Sequence, residues 1–334
     1  MGRGIARFMA GPVAASAVVL SFACGSSGRA DIAFVSSRDG NPEVYVLEGQ
    51  SGIPRRLTST PDDRERDPVI SPDGKKVAFL SSHGQGETGL WVMDIDGKNT
   101  RRIGGPPGDR VSFAWSPDAL RLAYEIRGNG GTDIFVSEIE SQKTIRVTRD
   151  AGAEDLGGWS RDGQWVVYAL TEGALQGVNR KNPDGVNEIR ITEREDHRPR
   201  WSPDGTRIAF MAKRDASDFD IYVVDINGSK EQNVTNAAGN DGDFDWSPDS
   251  RRIVFVSDRH GNPEVYAQVI GRKEATRLTN NNAIDAGPRW SRDGGEILFV
   301  SDADGDFDLY IMHPDGSRQE RLTLNDVDDT GASW

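Results

Sequence analysis

The stretch Trp201-Ser202-Pro203-Asp204-Gly205 decides the fold, because the chain keeps repeating it. It returns as Trp115-Ser-Pro-Asp118, Trp159-Ser-Arg-Asp-Gly163, Trp246-Ser-Pro-Asp249 and Trp290-Ser-Arg-Asp-Gly294. A variant, Ile70-Ser-Pro-Asp-Gly74, precedes them, and Trp334 stands where a seventh copy begins. Successive anchors are 42 to 45 residues apart. That period points to propeller blades and overrides a two-domain reading of the chain length.

Each copy sits in the same local setting. In the unit opened by Trp201, Arg200-Trp201-Ser202 reads as a short first strand. Ser202-Pro-Asp-Gly205 follows as a turn, with Pro suited to its second position and Gly to its fourth. Ile208-Ala-Phe-Met211 is a second strand of β-branched and aromatic residues. After a loop from Arg214 to Asp218, Asp220-Ile-Tyr-Val-Val224 is a third strand, and Asn233-Val-Thr235 begins the fourth. The second strand recurs in every unit, from Ile32-Ala-Phe-Val35 to Ile297-Leu-Phe299. The fourth recurs as Arg56-Leu-Thr58, Arg146-Val-Thr148, Arg190-Ile-Thr192, Arg277-Leu-Thr279 and Arg321-Leu-Thr323, with Arg102-Ile103 a degraded copy.

The ends predict how the ring shuts. The first unit, from Asp31, has second, third and fourth strands without a first, whereas Gly331-Ala-Ser-Trp334 is a first strand with nothing after it. Pairing them leaves no open inner edge. The expectation is an all-β chain: a seven-bladed β-propeller of four-stranded antiparallel blades over 31–334, closed by the C-terminal strand. Six blades is the alternative count. One unit departs from the pattern. Where others have an Ile-Tyr or Val-Tyr third strand, the unit opened by Trp159 has Gly173-Ala-Leu-Gln-Gly-Val178. A frayed strand and a partner-facing gap both fit.

The formal charge of −13 argues against nucleic acid, whose phosphates demand a basic surface. At the N-terminus, Arg3 and Arg7 precede an apolar run from Val13 to Ala23, too short for a membrane span and laid out as an export signal over 1–23. Cys24, the only cysteine, follows at once, and 24–30 reads as a flexible tether. This border resembles a bacterial lipoprotein signal, in which the cysteine becomes lipidated. Ordinary cleavage leaves Cys24 a free thiol instead. Loss of Arg3 and Arg7 takes the formal charge to −15.

The anchors, together with Ser36-Ser-Arg-Asp-Gly-Asn-Pro-Glu-Val-Tyr45 and Ser257-Asp-Arg-His-Gly-Asn-Pro-Glu-Val-Tyr266, resemble the WD40-like (PD40) repeats of the TolB family of β-propellers. The resemblance covers nearly all of the chain after the export signal. It implies a cell-envelope protein that binds partner proteins through its propeller, here as a stand-alone propeller lipoprotein without the family's extra N-terminal domain. Similar repeats occur in the propellers of prolyl-oligopeptidase-like peptidases, whose hydrolase domain the chain leaves no length to encode.

Motifs for catalysis are missing: there is no Gly-x-Ser-x-Gly elbow, no His-Glu-x-x-His and no phosphate loop. His83, His197, His260 and His313 are scattered over different units. Asp302-Ala-Asp-Gly-Asp-Phe-Asp308 has the composition of a calcium loop, with Asp302, Asp304, Asp306 and Asp308 as weak ligand candidates. The same slot holds Asp215-Ala-Ser-Asp-Phe-Asp220, which favours an ordinary loop. No catalytic residue and no cofactor is expected, calcium being the sole candidate.

Aligning the anchors brings out another position. Five residues before each stand Glu65, Arg110, Glu154, Asp196, Asp241, Asp285 and Asp329, acids in six of seven units. An innermost first strand sets these at one mouth of the channel, as an acidic ring or as carboxylates that cap the turn by accepting backbone N–H bonds. Trp115, Trp159, Trp201, Trp246, Trp290 and Trp334 read as blade-stacking anchors. Loops on the ring's face are rich in acids, whereas the face with the Pro-Asp-Gly turns reads as structural. The expectation is a monomeric, non-catalytic, exported binding propeller at the periplasmic side or cell surface. It engages a basic protein or peptide and touches membrane only through its lipid anchor. The alternative is a propeller enzyme or carbohydrate-binding protein using the channel with calcium.

Overall fold

The computed structural model describes residues 30–334 apart from 50–51, 84–85, 129–130, 150–151, 174 and 215–217. The export signal over 1–23 and Cys24 therefore lie outside the described residues. The rest forms seven four-stranded antiparallel sheets in a ring, a seven-bladed propeller without helices among the described residues. Blade 1 is built from both ends of the propeller. Its innermost strand is Asp329–Ser333, followed outward by Ile32–Ser36, Glu43–Leu47 and Pro54–Arg56. Asp329 pairs with Ser36 and Ser333 with Ala33, so the closure predicted from the two incomplete units is the one observed. The innermost strands of blades 2 to 7 are Asp63–Ile70, Asp109–Trp115, Glu154–Trp159, His197–Trp201, Asp241–Trp246 and Asp285–Trp290.

Seven apolar clusters hold the ring, and each lies between neighbouring blades. Ile32, Phe34 and Tyr45 of blade 1 pack on Leu298, Leu309 and Ile311 of blade 7, together with Trp334. Ala209, Ile221 and Val223 of blade 5 likewise meet Phe244, Trp246 and Phe255 of blade 6. A twisted sheet of this width buries neither face alone, so each blade depends on the next. Fully burying one such Ile, Val or Phe is worth about 1.5–3 kcal/mol.

The innermost strands begin further upstream than Arg200-Trp201-Ser202 suggested, because each is bulged. Register shifts fall between Arg66 and Val69, His197 and Arg200, Gly242 and Asp245, and Ala286 and Arg289. At the bulge the backbone turns left-handed, with φ of 53° at Asp67, 48° at Arg198 and 43° at Asp243. Glycine takes that position at Gly287 and Gly331. The bulge breaks the alternation that marks a strand in sequence.

Blade 4 also differs from its sequence reading. Its third strand is Gly177–Lys181, paired along its length with Val166–Leu170 and then with Glu188–Arg190. Gly173, Leu175 and Gln176 thus lie outside the strand, which is not frayed. Asn179, Arg180 and Lys181 hide it from a hydrophobic pattern, although backbone pairing sets it.

Candidate functional site

The repeated turn closes on itself. In all six Ser-x-Asp turns the serine hydroxyl donates to the aspartate, as in Ser202 Oγ to Asp204 Oδ1 at 2.6 Å and Ser291 Oγ to Asp293 Oδ1 at 2.7 Å. The same hydroxyl accepts the N–H that starts the second strand, from Arg207 at 2.9 Å in blade 5. Serine hydroxyls hold Asp73, Asp162 and Asp249 below the usual carboxylate range.

The anchor tryptophans staple blades. Trp115 Nε1 donates to Val69 O at 3.0 Å, Trp159 to Ala114 O at 3.1 Å and Trp246 to Arg200 O at 3.3 Å, each acceptor in the preceding blade. Trp334 does the same to Arg289 O across the closing seam, at 3.3 Å. The guanidinium of Arg121 lies 4.6 Å from the ring of Trp159, and that of Arg252 lies 4.5 Å from Trp290. Trp201 and Trp290 keep a buried Nε1 without an acceptor.

The carboxylates five residues before the anchors are not at a solvent-lined mouth. Asp196, Asp241, Asp285 and Asp329 are fully buried, while Glu65 and Glu154 are 2% and 6% exposed. They lie between blades and take side-chain partners, which corrects both the open ring and the backbone cap. Thr148 Oγ1 of blade 3 donates to Glu154 of blade 4 at 2.5 Å, and Thr192 of blade 4 to Asp196 of blade 5. Arg38, Arg214 and Arg259 neutralise Asp329, Asp196 and Asp241 at 2.8, 2.6 and 2.9 Å. Among the described residues Glu65 and Asp285 have no arginine, and burial pushes both upward, Glu65 to about 7. The threonine Oγ1 at this position accepts the N–H of the third strand in its own blade, Thr58 from Val44 at 2.8 Å and Thr235 from Ile221 at 3.0 Å. Arg-Leu-Thr was visible in sequence as a strand motif, but the threonine's second role was not. The arginines had a signal too, since Ser36-Ser-Arg38 and Ser257-Asp-Arg259 place one two residues beyond the second strand.

The channel is lined instead by residues nearer the anchors. On the side of the repeated turns it opens into a cavity of about 530 Å³ bordered by Asp67, Trp115, Arg200, Asp245, Arg289 and Arg292. Arg289 is 3.3 Å from Asp243, and Arg200 is 3.9 Å from Asp245. Burial opposes ionisation of Asp243, yet Arg289 and Arg200 hold it below its ordinary range. Inner-strand acids also bond the next blade: Asp155 accepts from Arg198 N at 2.7 Å and Asp245 from Trp290 N at 2.9 Å. Arg292 reaches past blade 1 to the carbonyls of Ser71 and Pro72 in blade 2, at 3.0 and 2.7 Å.

Exposed acids remain on the face expected to be acidic, in its loops rather than in a ring. Asp62, Glu193 and Asp326 are exposed there and form no ion pair among the described residues. Asp304, Asp306 and Asp308 bring oxygens within 4.8 Å of one another, but Arg321 occupies the group, bonding Asp304 and, at 2.5 Å, Asp308. A guanidinium already compensates the charge that a calcium ion needs. Asp302 points elsewhere, accepting the N–H of Ile284 at 2.6 Å. The histidines whose side chains are described do not converge: His260 bonds Tyr266 Oη at 2.5 Å, and His197 packs edge-on to Phe219.

Comparison with known proteins agrees with this architecture. The family described as "TolB beta propeller domain" matches over residues 65–197 and 184–334. An uncharacterized protein of Agrobacterium fabrum is 32% identical over 107 residues, 28% of this chain and 36% of the relative. The Tol-Pal system protein TolB of Anaeromyxobacter dehalogenans is 35% identical over 101 residues, 29% of this chain and 22% of the relative. The matched segment thus spans about a third or less of either relative. A solved structure of oligogalacturonate lyase in complex with manganese superposes with a TM-score of 0.70 at 16% identity, covering 85% of this chain and 86% of that one. Such identity shows the fold alone. With the family match spanning blades 2 to 7 and the C-terminal strand that completes blade 1, the chain belongs to the TolB β-propeller domain family.

Proposed function

We propose that this chain is a non-catalytic binding propeller of the cell envelope that docks a basic protein or peptide on its acidic loop face. The observation that carries the reading is the set of exposed, unpaired acids on that face, Asp62, Glu193 and Asp326 among them. On the opposite face each repeated Ser-x-Asp turn closes on itself through its serine hydroxyl. Loops on a rigid ring are free to carry recognition, and uncompensated carboxylates steer a cationic partner. Membership of the TolB propeller family and the likeness to a Tol-Pal system protein support the envelope setting. On this reading Cys24 carries the lipid that holds the propeller at a membrane, and Cys24→Ser should release the protein into the soluble fraction.

The test is crosslinking capture from solubilised envelope membranes, with the wild type and an Asp62→Asn, Glu193→Gln, Asp326→Asn variant as baits. Capture of a specific partner should fall in the variant, and the difference should grow at low salt, where exposed charges act over a longer range. Equal capture by both baits at low salt would refute docking on this face.

A further inference from the structure

Blades 2 and 3 meet differently from every other pair. The other six interfaces carry a threonine at the end of the outermost strand and an acid at the start of the next blade. Most add an acid at the head of the third strand, and this one takes the outer-strand arginine: Arg56 to Glu43, Arg146 to Asp133, Arg277 to Glu264, at 2.6 to 2.7 Å. Between blades 2 and 3 all three anionic or hydroxyl members are gone. Gly89 heads the third strand, Gly104 replaces the threonine and Arg110 replaces the acid, while Arg102 stays. Blade 4 also has a glycine, Gly177, heading its third strand. There Arg190 bonds carbonyls instead, and Thr192 and Asp196 are kept.

The result is a cationic gap on an otherwise acidic face. Arg102 is exposed and makes no side-chain hydrogen bond or ion pair among the described residues. Arg110 is 2% exposed; it donates to Gly108 O at 2.8 Å and Pro106 O at 3.2 Å, and its Nε has no partner. Among the described residues neither guanidinium has a carboxylate within 4 Å. A cavity of about 330 Å³ opens between them and the Gly104–Pro107 loop, with exposed Glu87 in its lining. The loop is pinned: Tyr124 Oη donates to Gly104 O at 3.0 Å, and Gly105 has φ of 126° where a Cβ would come within 2.6 Å of that hydroxyl.

We propose that this gap binds the carboxylate of a small-molecule ligand, held by Arg102 and Arg110 where the other interfaces hold a carboxylate of the chain itself. Two guanidinium groups with free N–H donors suit a planar oxyanion. A buried cation without its counter-charge, as at Arg110, is destabilising, and a ligand anion removes that cost only on binding. Preformed loop geometry limits the ordering that binding requires.

The experiment is a thermal-shift titration of the purified protein at constant ionic strength, with succinate and, separately, inorganic phosphate as probes. Wild type should show a saturable rise in Tm with succinate, since binding to the native state alone stabilises it. Arg102→Gln should lose that rise. Gly89→Asp restores the acid of the repeat; its Cβ would come within 2.8 Å of Trp91 Nε1 and 3.0 Å of Arg102 Nε, so the indole must shift to admit it. It should show no succinate response, and its melt in buffer alone reports that it folds. A wild type without a saturable shift, or equal shifts in all three proteins, overturns the site. Saturation by phosphate with none by succinate overturns its assignment to a carboxylate.

Discussion

Removing Gly331–Trp334 should cost far more than trimming a terminus normally does. The cut deletes the pairing of Ser333 with Ala33, the hydrogen bond from Ser333 Oγ to Pro68 O at 2.8 Å and that from Trp334 Nε1 to Arg289 O. It also takes away an indole that is 8% exposed and packed among Phe34, Leu298 and Ile311. Truncating a buried Trp costs about 3–5 kcal/mol, and each lost hydrogen bond adds about 1 kcal/mol. The total of roughly 5–7 kcal/mol is comparable to the whole stability of many domains, about 5–15 kcal/mol. At about 2–4 °C per kcal/mol for a chain of this order, Tm should fall by roughly 10–25 °C. Trp334→Ala isolates the indole and should account for more than half of the drop. Circular dichroism melts of the full chain, the 1–330 truncation and Trp334→Ala make the comparison. A truncated protein melting within about 2 °C of the full chain would show that the seam does not hold the ring.

Other consequences are open to simple tests. Burial raises Glu65 and Glu125 from 4.5 to about 7, so both take up protons more readily when folded. Stability should therefore rise as pH falls from about 7 towards 4.5, by up to the order of 3 kcal/mol per group. Glu125→Gln, which still accepts the N–H of Leu156, should stabilise the protein at pH 8 and flatten the profile in urea melts. Arg259→Ala strands the buried Asp241 and should cost about 3–5 kcal/mol. Asp285→Asn, at a site without arginine, should cost much less in the same denaturant assay. Thr235→Val leaves Ile221 N–H without its acceptor and should lower stability by about 1–3 kcal/mol. Millimolar calcium should leave the wild-type Tm unchanged. Arg321→Ala, which uncovers three clustered carboxylates, should make the melt calcium-dependent; an unresponsive variant would show that these side chains cannot hold the ion.

Much of the ring was legible in the sequence because a blade is a local object. The anchor spacing gave the blade count, and the apolar second strands, from Ile32 to Phe299, marked the layers that pack between blades. The unmatched ends at Asp31 and Trp334 gave the seam, since an unpaired inner edge is costly and only one partner strand was available. Polar strands were harder. Gly177–Lys181 carries few apolar side chains, and the bulges at Asp67, Arg198 and Asp243 interrupt the alternation from which strands are read.

The site followed the same division. Aligning the repeat found the carboxylates at Glu65 through Asp329 and the exception at Arg110 without any coordinates. It could not say which way they face. Whether Asp241 meets water or Arg259 depends on how far adjacent blades close on each other, and that is set by packing between residues from different units. Burial turned a supposed ring into staples between blades. The same closeness made the loss of a carboxylate beside Arg110 consequential, because a missing counter-charge matters most where solvent cannot replace it. Sequence alone determined the repeat, the closure and the positions that break the pattern. Tertiary structure decided which of those positions are shielded from water, and with that, which charges are compensated by the chain.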